Sequence, residues 1–431
     1  MILRASLIAL GALSLTACGL FGEDEERMPG DRIPVRPQVE LSTGSGDVTP
    51  LPVASVNSAW THEGGSASHL IPHPALQPTL SRAFAVSVGQ GSTEGGRMTS
   101  GPVGNSTAIY TLDAEARVTA TGPNGQRLWS RSLIADGQPA EEGFGGGVSL
   151  GQGTLFATTG FGEIYALDAT TGAVQWQQRA DAPFRAAPTV AGRRVIAVAR
   201  NDVATAYDAD SGQILWRLSG ARGDAGVLAG SQAATNGALI VLPFSSGEMV
   251  AAFSRNGRRA WAAAITAGRR GLARSSIGDV TGDPVFGDVD VIAGNQSGSL
   301  VSLDARSGRR NWTHPDGAQD AAAIVGQAVF FVTDQAELLR LDRATGAVIW
   351  RTQLAERNAD DDEIAARYLG PVVAGGRIFV ANGHDGIEVF SPEDGSSITR
   401  LAVAGGVAGA PAVIDNTLYV LSNTGTLYAY R

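Results

Sequence analysis

Ala166-Leu-Asp-Ala-Thr-Thr-Gly-Ala-Val-Gln-Trp176 returns three times along the chain, as Ala206-Tyr-Asp-Ala-Asp-Ser-Gly-Gln-Ile-Leu-Trp216, Ser302-Leu-Asp-Ala-Arg-Ser-Gly-Arg-Arg-Asn-Trp312 and Arg340-Leu-Asp-Arg-Ala-Thr-Gly-Ala-Val-Ile-Trp350. In every copy an alternating apolar strand runs into an Asp that caps a turn. A Gly then takes the positive-φ position, and a second strand leaves toward the tryptophan. Weaker copies end at Trp129 and Trp261, where an Asn-Gly pair makes the turn. A seventh, Ser391-Pro-Glu-Asp-Gly-Ser-Ser-Ile398, carries isoleucine where tryptophan is expected. Apolar runs such as Arg194-Val-Ile-Ala-Val-Ala199 and Ala328-Val-Phe-Phe-Val332 precede these hairpins, so each unit reads as four short antiparallel strands.

The spacing sets the architecture. Successive tryptophans from Trp129 to Trp350 lie 38 to 51 residues apart, and one step back reaches Phe84 in Arg82-Ala-Phe-Ala-Val-Ser-Val88. Residues 82–431 divide into eight units of about 44 residues, a propeller-like period. The last unit stops at Leu427-Tyr-Ala-Tyr-Arg431, one strand short, and the strand around Phe84 supplies the missing one. The expected fold is all-β: an eight-bladed β-propeller of four-stranded antiparallel blades, its ring closed by an N-terminal strand that hides both edges. Phe84, Trp129, Trp176, Trp216, Trp261, Trp312 and Trp350 are read as docking residues packed between neighbouring blades, each indole N–H on a backbone carbonyl.

Outside the repeats the chain changes character. Met1–Arg4 is a short basic start, Ala5–Leu13 an apolar run, and Leu15-Thr16-Ala17-Cys18 places small residues ahead of the one cysteine. Residues 1–17 are read as an export signal, too short to span a bilayer. The acids Glu23–Glu26 and the prolines at 29, 34, 37, 50 and 52 oppose a packed core, so residues 18–57 are expected to be a flexible tether. Residues 58–81 are expected to pack on the propeller of residues 82–431.

Composition removes several function classes. The formal charge is −9, with 42 acidic residues against 33 basic ones, which disfavours nucleic acid as a partner. Every basic residue is arginine, so there is neither a Schiff-base lysine nor a P-loop lysine. A lone cysteine forms no intrachain disulfide and no multi-cysteine metal site. His69-Leu-Ile-Pro-His73 has the spacing of a metal pair on a helix, but Pro72 and Pro74 break any helix there, so surface loop histidines are expected. Asp279, Thr281 and Asp283 have the spacing of a calcium loop, whose pattern Pro284 and Asp288 break.

The Ala-x-Asp-x-x-Thr-Gly-x-x-x-Trp repeat, with the opening Trp60-Thr-His-Glu-Gly-Gly65, resembles the tryptophan-docking repeat of quinoprotein-type (PQQ-like) β-propellers over residues 58–431. Two branches share it: pyrroloquinoline-quinone alcohol and glucose dehydrogenases, and the BamB family of propeller lipoproteins. The dehydrogenase branch implies calcium, an Asp base near the quinone and, in many members, a disulfide between adjacent cysteines. This chain has no cysteine pair. The resemblance therefore implies a non-catalytic scaffold without a cofactor, with a periplasmic quinoprotein oxidoreductase as the alternative. Leu-Thr-Ala-Cys resembles a lipobox, which implies lipid attachment at Cys18. Gly19 after it implies anchoring to the periplasmic face of the outer membrane. The BamB branch further implies contact with the POTRA region of BamA and other BAM subunits, and strand edges or grooves offered to unfolded outer-membrane proteins. Its acidic contact loop corresponds here to Asp279, with Thr281 and Asp283 following. Its second contact loop corresponds in place, but not residue by residue, to Asp181-Ala-Pro-Phe184-Arg185, and an Arg185–Asp279 pairing between adjacent blades is expected to link the two.

Overall fold

The computed structural model describes residues 48–431, apart from Arg185, residues 224–229 and 266–277, Ser297 and residues 359–363. The signal segment, Cys18 and most of the expected tether lie outside the described residues. The described residues form eight sheets, one per repeat. Their innermost and outermost strands are Val103–Asn105 and Arg127–Ser132 in the first blade, Gly146–Gly151 and Val174–Arg179 in the second, and Thr189–Ala191 and Ile214–Ser219 in the third. The fourth runs from Ala234–Thr235 to Arg259–Ala264, the fifth from Val280–Phe286 to Arg310–His314, and the sixth from Ala323–Val325 to Val348–Gln353. Tyr368–Ala374 and Ser397–Ala402 bound the seventh. The eighth is composite: Ala412–Ile414, Thr417–Leu421 and Thr426–Tyr430 end the chain, and Arg82–Ser87 pairs antiparallel with the last of them. The ring thus closes by hydrogen bonds between the two ends of the repeat region, which complete the eighth blade with its fourth strand.

Each hairpin turn does two jobs. Asp168 Oδ1 accepts the N–H groups of Thr170 and Thr171 and the hydroxyl of Thr171, and Asp208, Asp304 and Asp342 act alike. Accepting three donors favours the charged carboxylate, so the pKa values of Asp168, Asp208 and Asp304 fall below the usual carboxylate range. The Gly that follows lies at φ near +70°, flat beneath the tryptophan of the preceding blade. A Cβ on Gly212 would stand 2.7 Å from Trp176, and one on Gly257 2.7 Å from Trp216. Glycine is thus required twice over, for its backbone angle and for the ring above it.

The indole N–H groups reach over the same turns. Trp129 donates to Ala169 O at 3.0 Å, Trp176 to Ala209 O at 2.8 Å, Trp216 to Ser254 O at 3.0 Å and Trp261 to Ala305 O at 3.1 Å. Trp312 donates to Arg343 O at 2.9 Å and Trp350 to Pro392 O at 3.1 Å. Phe84 holds the equivalent place over Gly125, whose Cβ would lie 2.9 Å from its ring. The seventh blade differs from expectation. A β-bulge skips one residue of each outer strand just before the aromatic: Leu215 before Trp216, Ala83 before Phe84, and Ile398 in the seventh blade. Ile398 is therefore the bulged residue, 51% exposed, and Thr399 stands at the tryptophan position. Its partner blade is the composite eighth, where Tyr430 and Arg82 are the chain's two ends at that edge and no hairpin turn exists for a ring to cover.

The N-terminal boundary also moves. Residues 49–57, read as tether, lie against the propeller: Thr49 O accepts from Arg340, Leu51 packs on the sixth and seventh blades, and Asn57 O accepts from Asp415 N at 2.8 Å. Ala59–Trp60 then adds a fifth strand to the first blade. Proline favours extended backbone without forbidding that backbone from accepting hydrogen bonds, which is why composition misplaces the edge of order.

Candidate functional site

Alternating strand direction puts the turn after each innermost strand and the Asp–Gly turn on one face of the ring, and the connections between blades on the other. Residues 49–76 form a strap across the first face. Thr61 O accepts from Leu150 N at 2.8 Å, Ala67 O from Thr235 N at 2.7 Å, Ser68 O from Phe286 N at 2.8 Å and Pro74 O from Gly375 N at 2.8 Å. Innermost strands of a propeller have a free edge, and the strap satisfies it in blade after blade.

Its histidines are the anchors. His62, His69 and His73 are all buried, a correction to the expectation of surface loop residues. His62 Nε2 accepts from Val190 N at 3.0 Å, and His73 Nε2 from Gly376 N at 2.7 Å. An accepting Nε2 fixes the neutral ring with its proton on Nδ1, beside Thr61 Oγ1 for His62 and Pro52 O for His73. Burial, helped by His69, pushes the pKa of His62 down to about 3, and burial alone brings that of His69 to about 4. His69 Nδ1 donates to Pro284 O at 2.8 Å, and its Nε2 abuts Gln232 Oε1 at 3.2 Å. Gln232 in turn donates from Nε2 to Pro188 O and Ser149 Oγ, and from its backbone N to Asp283 Oδ1 at 2.7 Å.

Above this hub the central channel opens on the opposite face as a funnel of about 730 Å³. Trp60, Ile71, Ile324 and Val372 lie beneath it. Three carboxylates converge in the funnel: Glu63 from the strap, Asp283 from the fifth blade and Asp320 from the connection into the sixth. Glu63 Oε1 accepts from Gly101 N at 3.1 Å, and Asp320 accepts from Ala321 N and Gly370 N at 2.8 Å each. Among the described residues none of the three has an ion-pair partner. Withdrawal from bulk water and repulsion from Asp320 raise Glu63 to about 7, and burial with the charges of Glu63 and Asp320 lifts Asp283 well above its ordinary value. Burial also raises Asp320, against the pull of Arg367.

The residues singled out in the sequence fall on the funnel face, but not as an exposed loop. Asp279 is fully buried and immediately precedes the strand Val280–Phe286. Thr281 and Asp283 belong to that strand and line the funnel, Thr281 Oγ1 donating to Ala318 O at 3.0 Å. These residues stand at and along a bulged strand rather than in a ligand loop, so the geometry of a calcium loop is not formed. Among the described residues no three His, Cys, Asp or Glu side chains are placed to hold a metal ion. Phe184 is 2% exposed and bridges to Ala199 at the entry to the third blade. Arg185 lies outside the described residues. Phe184 and Asp279 enter the third and fifth blades, and the expected Arg185–Asp279 pairing falls outside the described residues. Glu63, Asp320 and Gln232 were not singled out in the sequence. Of these only Glu63 had a signal, the acid inside Trp60–Gly65.

Comparison with known proteins matches this geometry to one group. The family described as outer membrane protein assembly factor BamB matches residues 114–352 and 353–431. The outer membrane protein assembly factor BamB of Bordetella pertussis is 24% identical over 435 residues, covering 99% of this chain and 97% of that one. The crystal structure of BamB from Moraxella catarrhalis aligns with a TM-score of 0.65 at 19% identity, over 82% of this chain and 98% of that one. A quinohemoprotein alcohol dehydrogenase from Comamonas testosteroni aligns at 0.69 with 14% identity, over 88% and 81%, which shows a shared fold alone. With its repeats matched from the first Asp turn to the last residue, the chain belongs to the BamB family of outer membrane protein assembly factors.

Proposed function

We propose that this protein is a non-catalytic scaffold of the outer-membrane β-barrel assembly (BAM) complex. In this reading it is tethered through a lipid on Cys18 to the periplasmic face of the outer membrane. It binds the POTRA region of BamA and so aids insertion of β-barrel proteins. The observation that carries this reading is the family match across the repeats, together with relatives that share the name over nearly their whole length. The funnel face supports it locally: Thr281, Asp283 and the connection that carries Phe184 lie there, and the strap covers the other face. The quinoprotein alternative needs a cation beside the quinone, and the described carboxylates supply no three-ligand set for one.

The test is an affinity pull-down of the full chain from detergent-solubilised envelopes. Wild type is expected to retain BamA. Arg185→Glu, next in the chain to Phe184, is expected to weaken retention, whereas Asp210→Arg, in an exposed turn of the opposite face, leaves it unchanged. Failure of wild type to retain BamA after cross-linking overturns the scaffold reading. Equal loss with both variants overturns the choice of face.

A further inference from the structure

A carboxylate removed from water is ordinarily paired with a cation or neutralised. Three carboxyl groups meet in the funnel with no ion-pair partner among the described residues. Asp320 is satisfied at both oxygens by backbone N–H groups, but Glu63 and Asp283 each spend one oxygen on an N–H, of Gly101 and Gln232 respectively. Their second oxygens have no hydrogen-bond partner among the described residues, and both side chains line the funnel. Arg367 sits close enough to influence Asp320 and Glu63 but forms no ion pair with either. In all, five carboxyl and three guanidinium groups line the space, an excess of two acidic groups. The described donors do not form a metal cage, and two free oxygens from different elements match the spaced N–H donors of an organic cation. The volume, about 730 Å³, exceeds what one side chain fills and leaves room for the backbone that carries it. The mouth lies on the face of the blade connections, away from the strap, so an extended segment has access.

We propose that the funnel is a receptor for a single basic side chain, arginine or lysine, presented by an extended segment of a partner protein, with the free oxygens of Glu63 and Asp283 as its acceptors. The rim guanidiniums of Arg97, Arg357 and Arg367 make the site selective: a run of several basic residues is repelled at the mouth, whereas one base flanked by neutral or acidic residues enters. Neither BamA nor the lipid anchor is required for this inference, so its failure and that of the scaffold reading are separable.

The experiment is an NMR titration of the full chain in detergent micelles with a capped pentapeptide carrying a central arginine, its citrulline counterpart and acetyl-arginine amide. The arginine peptide is expected to bind about tenfold or more tighter than the citrulline peptide, because citrulline keeps shape and donors but loses the charge. Glu63→Gln and Asp283→Asn, each keeping the oxygen that holds the backbone N–H, are expected to lose about tenfold with thermal midpoints preserved or raised. Arg367→Gln is expected to tighten binding, a gain that a folding defect does not imitate. Equal binding of the arginine and citrulline peptides, or unchanged affinity in both carboxylate variants, overturns the proposal. Acetyl-arginine amide binding as tightly as the peptide also overturns it, by showing a site for a small cation rather than for a protein segment.

Discussion

The rim and the hub of this propeller are built on opposite principles. At the rim one device, a tryptophan lying on the next blade's Asp–Gly turn, is repeated from Trp129 to Trp350, and each indole N–H is satisfied by a carbonyl of the same repeat pattern. At the hub nothing repeats. One strap, read once from residue 49 to 76, meets the blades through different groups: a carbonyl here, an imidazole there, and a carboxylate reaching through to the far face. Repetition makes the rim stable, and its absence at the hub allows unpaired charge to collect where the channel opens.

Several variants would break or sharpen that contrast. Trp216→Ala removes a buried ring between the third and fourth blades and leaves a cavity over Gly257, so chemical denaturation should register a loss of about 3–5 kcal/mol. A loss under about 1 kcal/mol would end the claim that the rim carries stability. His62→Ala orphans the Val190 N–H, and a smaller loss of about 1–3 kcal/mol is expected, with faster proteolysis of the strap before global unfolding.

Glu63→Gln should act in the other direction. Glu63 faces Asp320 and Asp283, with Arg367 opposing them and Arg97 beyond it. Its pKa is raised in the folded chain from 4.5 to about 7, so the folded state holds the proton more tightly, and stability is lost as pH climbs through that window. The amide side chain of this variant would keep the acceptor without the charge, giving a gain of about 2 kcal/mol at pH 8 and almost none at pH 4. His62 and His69, lowered to about 3 and 4, impose the reverse slope, with stability lost as pH falls from about 6.5 toward 3. A pH series of melting curves that is flat in wild type on both sides would refute both assignments. The smallest effect is expected from Thr399→Trp, which restores the repeat's aromatic where no turn lies beneath it: a change within about 0.5 kcal/mol.

Much of the rim was legible beforehand because a turn needs specific residues at fixed offsets: Asp to cap it, Gly for positive φ, an aromatic four residues after the Gly. The one slip, taking Ile398 for the aromatic position, came from counting letters without the bulge that shifts the outer strand by one. The hub was almost illegible. His62, His69 and Gln232 act through partners 128, 215 and 44 residues away in the chain, and no local pattern encodes such separations. Asp279 shows the same limit from the other side, since an acid in a turn-rich stretch looks exposed until the fifth blade closes over it.

By itself, then, the sequence determined the repeat, the number of blades and the N-terminal strand that closes the ring. These follow from short-range stereochemistry copied along the chain, with the period fixing how many copies meet. Only the tertiary structure decided where the N-terminal strap meets the propeller, which histidines are buried, why the seventh blade dispenses with its tryptophan, and where three carboxyl groups meet with no ion-pair partner among the described residues. Closing the ring brings together residues hundreds of positions apart. Burial and charge there depend on which groups arrive together rather than on any one of them.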